Sequence, residues 1–155
     1  MPDAWTYRYT DFGEGRQRAP FAILRAAIPV SGPGSTISFS ALTDTGGPIT
    51  VISRSFANVL GDLVPTDEEM TLRVGGASST GALFSVQLDL HPPTGVHDAP
   101  RRWDGPVAVI EPWPHTGTAV IFGQHGFLDA FTVTFGPTGF ALEPGGAFDE
   151  RFATG

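Results

Sequence analysis

The 155-residue chain contains no cysteine and no lysine. The absence of cysteine excludes a disulfide framework, a thiol nucleophile and a cysteine-ligated zinc site. All nine basic residues are arginines, so lysine Schiff-base chemistry and a phosphate-binding loop with its lysine are excluded as well. The glycine-rich stretch 32–36 is therefore predicted to be a hairpin turn and not a nucleotide site.

Positive charge is scarce, because the formal net charge is −7. Binding to nucleic acid needs a clustered basic surface, whereas the only adjacent arginines are Arg101 and Arg102, which we expect to be a solvated loop pair. The first 20 residues lack an apolar signal segment, and no later stretch is long enough to cross a membrane. These features predict a cytoplasmic protein with no nucleic-acid partner and no membrane association.

Glycine and proline are plentiful, with 20 and 14 residues spread along the chain. Because such residues mark turns between short strands, the sequence predicts a single β-rich domain, all-β apart from one or two short helices. Alternating or apolar segments predict strands at residues 21–30, 36–43, 49–52, 70–74, 83–90, 106–110, 119–122, 131–135 and 139–142.

Two short helices are predicted from turn and capping signals. Ser53 is a candidate N-cap for a helix that continues through Leu60, with Gly61 as its stop. Residues 124–130 form the second candidate helix. Residues 66–69 fit at most one helical turn, and the proline-rich residues 91–105 are predicted to be a connecting loop.

The sequence Asp44-Thr45-Gly46-Gly47 follows the apolar strand 36–43 directly. A strand that delivers a carboxylate onto a tight glycine-bearing turn holds that carboxylate at a rigid loop tip, where backbone NH groups can orient it. This is a suitable presentation for acid/base chemistry, which makes Asp44 the candidate catalytic residue.

The segment 70–90 is the most regular unit and predicts a long β-hairpin, with small residues at its tip, 75–81. Small tip residues keep the backbone exposed and mobile, which suits a lid that closes over a bound chain. An ordinary surface hairpin is the alternative interpretation.

The order of these parts resembles that of the retropepsin-like aspartic proteases, over roughly residues 20–135. The strongest pieces are 41–46 followed by 49–52, and Val120-Ile121-Phe122-Gly123 continuing into Gly126-Phe127-Leu128-Asp129. The resemblance implies a closed β-barrel with a flap hairpin, spanning residues 20–143 between an N-terminal arm, 1–19, and a C-terminal tail, 144–155.

The same resemblance implies an aspartic endopeptidase that is active as a homodimer on peptide or unfolded protein substrates, without a metal or other cofactor. By position, Asp44 would be the catalytic carboxylate, Thr45 would make hydroxyl contacts across the dimer, and Gly46 would let the loop approach its twin. Substrate contacts would come from Gly47 and from the flap residues Gly75, Gly76, Ala77, Ser78 and Ser79.

Two positions differ from the usual pattern of that family and motivate an alternative. Pro48 has no NH to donate to a peptide in the cleft, and Gln124 stands where an arginine is common. The alternative is a catalytically inactive retropepsin-like dimerisation or peptide-binding module. An unrelated hydrolase or metal site is a third possibility, although the four histidines lack zinc-site spacing and no Gly-x-Ser-x-Gly motif is present.

Overall fold

A computed structural model describes residues 4–12, 19–30, 35–61, 63–74, 76–113, 115 and 117–145. The elements in chain order are β1 (Trp5–Arg8), β2 (Thr10–Phe12), β3 (Ala19–Phe21), β4 (Ile23–Pro29), β5 (Thr36–Thr43), β6 (Thr50–Ser53), α1 (Arg54–Leu60), β7 (Val64–Val74), β8 (Ala77–Leu90), β9 (Arg101–Ile110), β10 (Val120–Phe122), β11 (Phe131–Phe135) and β12 (Gly139–Pro144). Within these residues, no helix is long and apolar enough to span a bilayer.

Six strands close into a barrel in the order β4-β5-β10-β6-β9-β8, and β8 returns to β4 through the pairs Ala26 with Leu90 and Ala27 with Asp89. The seventh strand of the sheet, β7, pairs with β8 and forms the long hairpin. The predicted all-β class and closed barrel are therefore confirmed.

Strand β10 lies between β5 and β6 in this barrel. It runs parallel to β5 and antiparallel to β6, and its residues Val120 and Phe122 are fully buried. The Phe122 ring stacks on Phe127, with 4.3 Å between the ring centroids, and the Trp103 ring meets both edge-on. This aromatic cluster fixes the chain on both sides of Gly123.

The N-terminal strand β1 pairs with β12, which also pairs with β11. Tyr7 stacks on Phe140 with 5.1 Å between the ring centroids, and Trp5 is buried. Strands β2 and β3 form a separate two-stranded ladder that leads into β4. The segment before the barrel is thus joined to the C-terminal strands.

Helix α1 forms where it was expected, because the Ser53 hydroxyl accepts a hydrogen bond from the Phe56 NH at 3.1 Å and Gly61 ends the helix at φ 80°. The helix predicted at 124–130 is wrong, since these residues form successive turns. Gly126 has φ 89°, and a Cβ there would lie 2.3 Å from the Pro106 carbonyl oxygen. Close packing against β9 therefore imposes a backbone that no α-helix has.

Two further boundaries differ from the predictions. The loop expected at 91–105 ends at residue 100, because β9 begins at Arg101 and its residues 101–108 pair with β8. Residues 66–69, expected to turn, belong to β7, which carries a register shift between Pro65 and Glu69. At 101–105 strand pairing prevails over local turn chemistry, whereas at 66–68 the ladder is interrupted and the Thr66 hydroxyl accepts the Glu68 NH at 3.3 Å.

Arg102 is consequently not a loop residue. It lies opposite Asp89 in the β8 and β9 ladder, and its guanidinium donates two hydrogen bonds, of 2.7 and 2.8 Å, to the Asp89 carboxylate. These bonds lower the pKa of Asp89 below its usual value, although burial of the carboxylate opposes the shift. The pair joins the two longest barrel strands near the seam with β4.

Candidate active site

Asp44 lies directly after β5 with an exposed side chain. Its NH donates to the Phe122 carbonyl oxygen at 2.9 Å, while its carboxylate Oδ1 accepts the Gly46 NH at 2.9 Å. An aspartate that accepts the NH two residues later forms an Asx turn, which fixes the direction of the carboxylate. One carboxylate oxygen is therefore held by the loop, and the group stays open to solvent.

A second segment, residues 123–126, crosses the Asp44 loop and is bonded to it repeatedly. The Gln124 NH donates to the Gly47 carbonyl oxygen at 2.8 Å, and the His125 NH donates to the Pro48 carbonyl oxygen at 3.1 Å. The Thr50 NH then donates to the His125 carbonyl oxygen at 2.8 Å. These bonds make a short parallel bridge between Ile49 and His125 that continues the barrel to the loop.

Gly123 is the point of closest approach between the two segments. A Cβ on Gly123 would lie 2.4 Å from the Ile49 carbonyl oxygen and 2.9 Å from that of Gly47. The Gly123 NH donates to the hydroxyl of Thr50, a side chain with no exposed surface. Only glycine permits this crossing, so the two segments hold the Asp44 loop as one rigid unit.

The hairpin tip is tighter than the sequence predicted. Residues 78–81 are paired in the ladder, with Ser78 opposite Arg73 and Ala77 opposite Val74, so β8 begins at Ala77. Gly76 has φ 84°, as a tight turn requires, and the predicted substrate residue Gly75 lies outside the described residues. The Ser79 hydroxyl donates to the Glu111 carbonyl oxygen at 3.3 Å, which attaches this part of the hairpin to the end of β9.

The predicted site residues thus fall into two groups. Asp44, Thr45, Gly46 and Gly47 form one loop, whereas Gly76, Ala77, Ser78 and Ser79 belong to the hairpin. Sequence reasoning treated Gln124 as a departure from a family pattern and missed its contact. Its side-chain amide donates to the Thr45 carbonyl oxygen at 2.6 Å, so the residue supports the candidate site directly.

The described residues do not bring three or more histidine, aspartate or glutamate side chains together in a group that could hold a metal ion. His125 and Asp129 approach within 3.9 Å, but the Asp129 carboxylate is also bonded to the Gly126 NH. That contact stabilises the turn after Gly123 and offers no further ligand.

A groove of about 1050 Å³ lies elsewhere on the chain, between β1, the start of β4 and residues 91–97. Asp44 does not line it. The carboxylate suited to chemistry and this large concavity are therefore separate features of the subunit.

Comparison with protein-family models finds no family that matches this chain, and comparison with curated proteins finds no match either.

Proposed function

We propose that the protein is an aspartic endopeptidase of the retropepsin-like kind, which assembles as a homodimer and uses Asp44 of both subunits. The observation that carries the proposal is the Asp44 loop, which presents an exposed carboxylate on an Asp-Thr-Gly turn. The Asp44 NH is bonded to the Phe122 carbonyl oxygen, and the Thr45 carbonyl oxygen is bonded to the Gln124 side chain. Rigid placement of an acid/base group before substrate binds is what efficient catalysis requires.

The exposure of the loop supports the proposed second subunit. Asp44, Thr45 and Gly46 are all exposed at its tip, while Thr43, directly before them, and Ile49, three residues after Gly46, are buried. A second copy related by a two-fold axis would place two such tips against each other. A cleft shared between subunits also accounts for the position of Asp44 outside the large groove of a single chain.

Two carboxylates that share one site cannot both ionise cheaply, so one keeps a proton; aspartic proteases are the standard example of such a pair. The ionised carboxylate would take a proton from a water molecule as the water attacks the scissile carbonyl. The protonated carboxylate would donate to that carbonyl oxygen, and no covalent intermediate would form. The titration would belong to the pair and not to either Asp44 alone.

In this proposal the β7–β8 hairpin would act as a flap, and its tip would cover a bound peptide. Its tip residues are small, and only the Ser79 contact to Glu111 attaches this part through a side-chain hydrogen bond among those the structure describes. Opening the hairpin would break this bond and would also expose Leu72, which is buried in a cluster with Ile49 and Ile110.

The experiment compares cleavage of an unfolded protein by the wild type, Asp44→Asn and a matched control, Asp104→Asn. Asp104 lies exposed on β9 and contacts only the Gln87 amide among the described hydrogen bonds, at 3.5 Å. We expect Asp44→Asn to abolish cleavage while Asp104→Asn retains it. Cleavage by Asp44→Asn at the wild-type rate would refute the assignment of Asp44.

A second candidate function is peptide binding or dimerisation without catalysis, and Pro48 favours it. Pro48 lies exposed beside the Asp44 loop and cannot donate a main-chain hydrogen bond to an extended peptide. Sedimentation of the purified protein separates the cases together with the cleavage assay. A dimer that binds peptides without cleaving them over acidic to neutral pH would establish the second function.

A further inference from the structure

The groove between β1 and residues 91–97 differs in charge from the rest of the chain. It is lined by Arg8, Arg25, His91 and His97, and no aspartate or glutamate is among its described lining residues. The whole chain has 16 acidic and nine basic residues, so a wall without a carboxylate is a local reversal of the overall charge. Such a reversal favours an anionic occupant.

The two arginines are available for an occupant. Both are exposed, and no described carboxylate lies within ion-pair distance of either. Two acidic residues adjoin the lining in sequence: Asp98, next to His97, accepts a hydrogen bond from the Trp5 indole at 2.8 Å, and Asp11, next to Thr10, is exposed. Unpaired guanidinium groups offer forked donors that match a carboxylate in geometry and charge.

The walls of the groove are fixed to each other. The Tyr7 hydroxyl donates to the His91 carbonyl oxygen at 3.0 Å, which joins β1 to the segment that begins after β8. Burial raises the pKa of Tyr7, so the hydroxyl keeps its proton and the bond persists at all ordinary pH values. The Tyr9 hydroxyl is likewise bonded to the Gly136 carbonyl oxygen. The groove is thus present before any occupant arrives.

The shape of the groove favours an extended peptide. Strand β1 is an edge strand of its sheet among the described strands, and its residues 6–8 line the groove, so main-chain groups of a strand edge lie close to the two arginines. An edge strand can add a peptide strand through main-chain hydrogen bonds. Tyrosine and proline side chains on the walls supply apolar contacts for such a peptide. The net charge of −7 opposes any anionic partner, so it is the strand edge that favours a peptide over a nucleic acid.

We propose that this groove is a docking site for an extended acidic peptide segment, whose carboxylates pair with Arg8 and Arg25. The site is separate from Asp44 and does not depend on the function proposed for that residue. A partner or substrate protein that carries glutamate or aspartate in an unfolded segment would be retained there.

The test measures fluorescence polarisation of a dye-labelled 12-residue peptide that contains four glutamates, and of the same peptide with glutamine in their place. The protein carries Asp44→Asn, so that cleavage cannot alter the signal. We expect the acidic peptide to bind more tightly than the neutral one, with an affinity that falls as salt is added. In the double variant Arg8→Gln/Arg25→Gln, the affinity should fall roughly tenfold or more.

The control pair Arg54→Gln/Arg73→Gln is the matched control, because it removes the same two positive charges from exposed positions on α1 and β7, outside the groove. Circular dichroism of each variant checks folding, which exposed substitutions should preserve. Equal binding of both peptides, or equal affinities in the double variant and in the control pair, would overturn the proposal. Tighter binding of an oligonucleotide of equal charge would assign the groove to nucleic acid instead. Self-association lost only in the double variant would assign it to a second copy of the chain.

Discussion

The side-chain amide of Gln124 donates to the Thr45 carbonyl oxygen at 2.6 Å, while its main-chain NH donates to the Gly47 carbonyl oxygen at 2.8 Å. One residue therefore binds the Asp-Thr-Gly turn at two points, on either side of Gly46. The turn also contains its own bond from the Gly46 NH to Asp44. Together with the bond from the Asp44 NH to the Phe122 carbonyl oxygen, these three hydrogen bonds determine where the exposed carboxylate lies.

Gln124→Ala is expected to lower kcat/KM for peptide cleavage by roughly tenfold to a hundredfold, because small displacements of a reacting group are costly. Stability should fall by only about 1 kcal/mol, the net contribution of one hydrogen bond. Gln124→Arg restores a side-chain donor and should recover most of the activity. Steady-state kinetics and urea unfolding measure both effects, and an Ala variant with unchanged kcat/KM would remove Gln124 from the site.

Gly123→Ala should destabilise the protein by about 2–3 kcal/mol, because the new methyl group meets the Ile49 carbonyl oxygen in a place where both backbones are fixed. Gly145→Ala is the matched control, since its Cβ would lie 3.5 Å from the Ala130 carbonyl oxygen, an ordinary contact. Denaturant unfolding of both variants, fitted with a common m-value, gives the midpoints to compare. Similar midpoints for the two variants would show that the crossing can relax.

Asp89→Asn should make stability less dependent on pH. The folded pKa of Asp89 is held below its usual value by Arg102, so its stabilising contribution is fully present above the unfolded pKa of about 3.9. The contribution is lost as the pH falls through the lower folded pKa. Urea unfolding at several pH values should therefore show the largest difference between wild type and variant near neutrality. A difference that stays constant down to pH 2 would contradict this origin.

Ser53→Ala removes the oxygen that accepts the Phe56 NH and should lower stability by about 1 kcal/mol. Asn58→Ala, an exposed position within the same helix, should have a much smaller effect. Thermal unfolding followed by circular dichroism distinguishes the two. Equal losses would show that the cap contributes nothing beyond helix propensity.

The sequence correctly predicted those helices and strands that are determined by interactions between residues close together in the chain. Ser53 and Gly61 bound α1 through capping chemistry, and the alternation in 131–135 indicates the strand that forms there. The helix expected at 124–130 failed because its decisive interaction is distant: Gly126 packs on the Pro106 carbonyl oxygen of another strand. No periodicity in seven residues contains that information.

The same distinction applies to the candidate site. Asp44 could be selected from its own neighbours, since a strand, a carboxylate and glycines are consecutive there. The role of Gln124 could not be predicted from its own neighbours, because its acceptor is the Thr45 carbonyl oxygen, 79 positions earlier in the chain. Every residue carries a main-chain carbonyl, so a hydrogen bond to one does not depend on the type of the accepting residue. The sequence pattern therefore does not show this contact, and only the folded structure identifies it.

Strand β10 separates β5 from β6 in the barrel, although it is made some 70 residues after them, roughly the interval from Ile52 to Val120. During synthesis at about 5–20 residues per second, several seconds pass in which β5 and β6 have been made but β10, which lies between them, has not. The Asp44 NH lacks its acceptor on Phe122 throughout that interval. A nascent chain that ends before residue 122 therefore lacks this bond and also those from Gln124, so on the function proposed here the catalytic loop reaches its final arrangement only after β10 and Gln124 have been made.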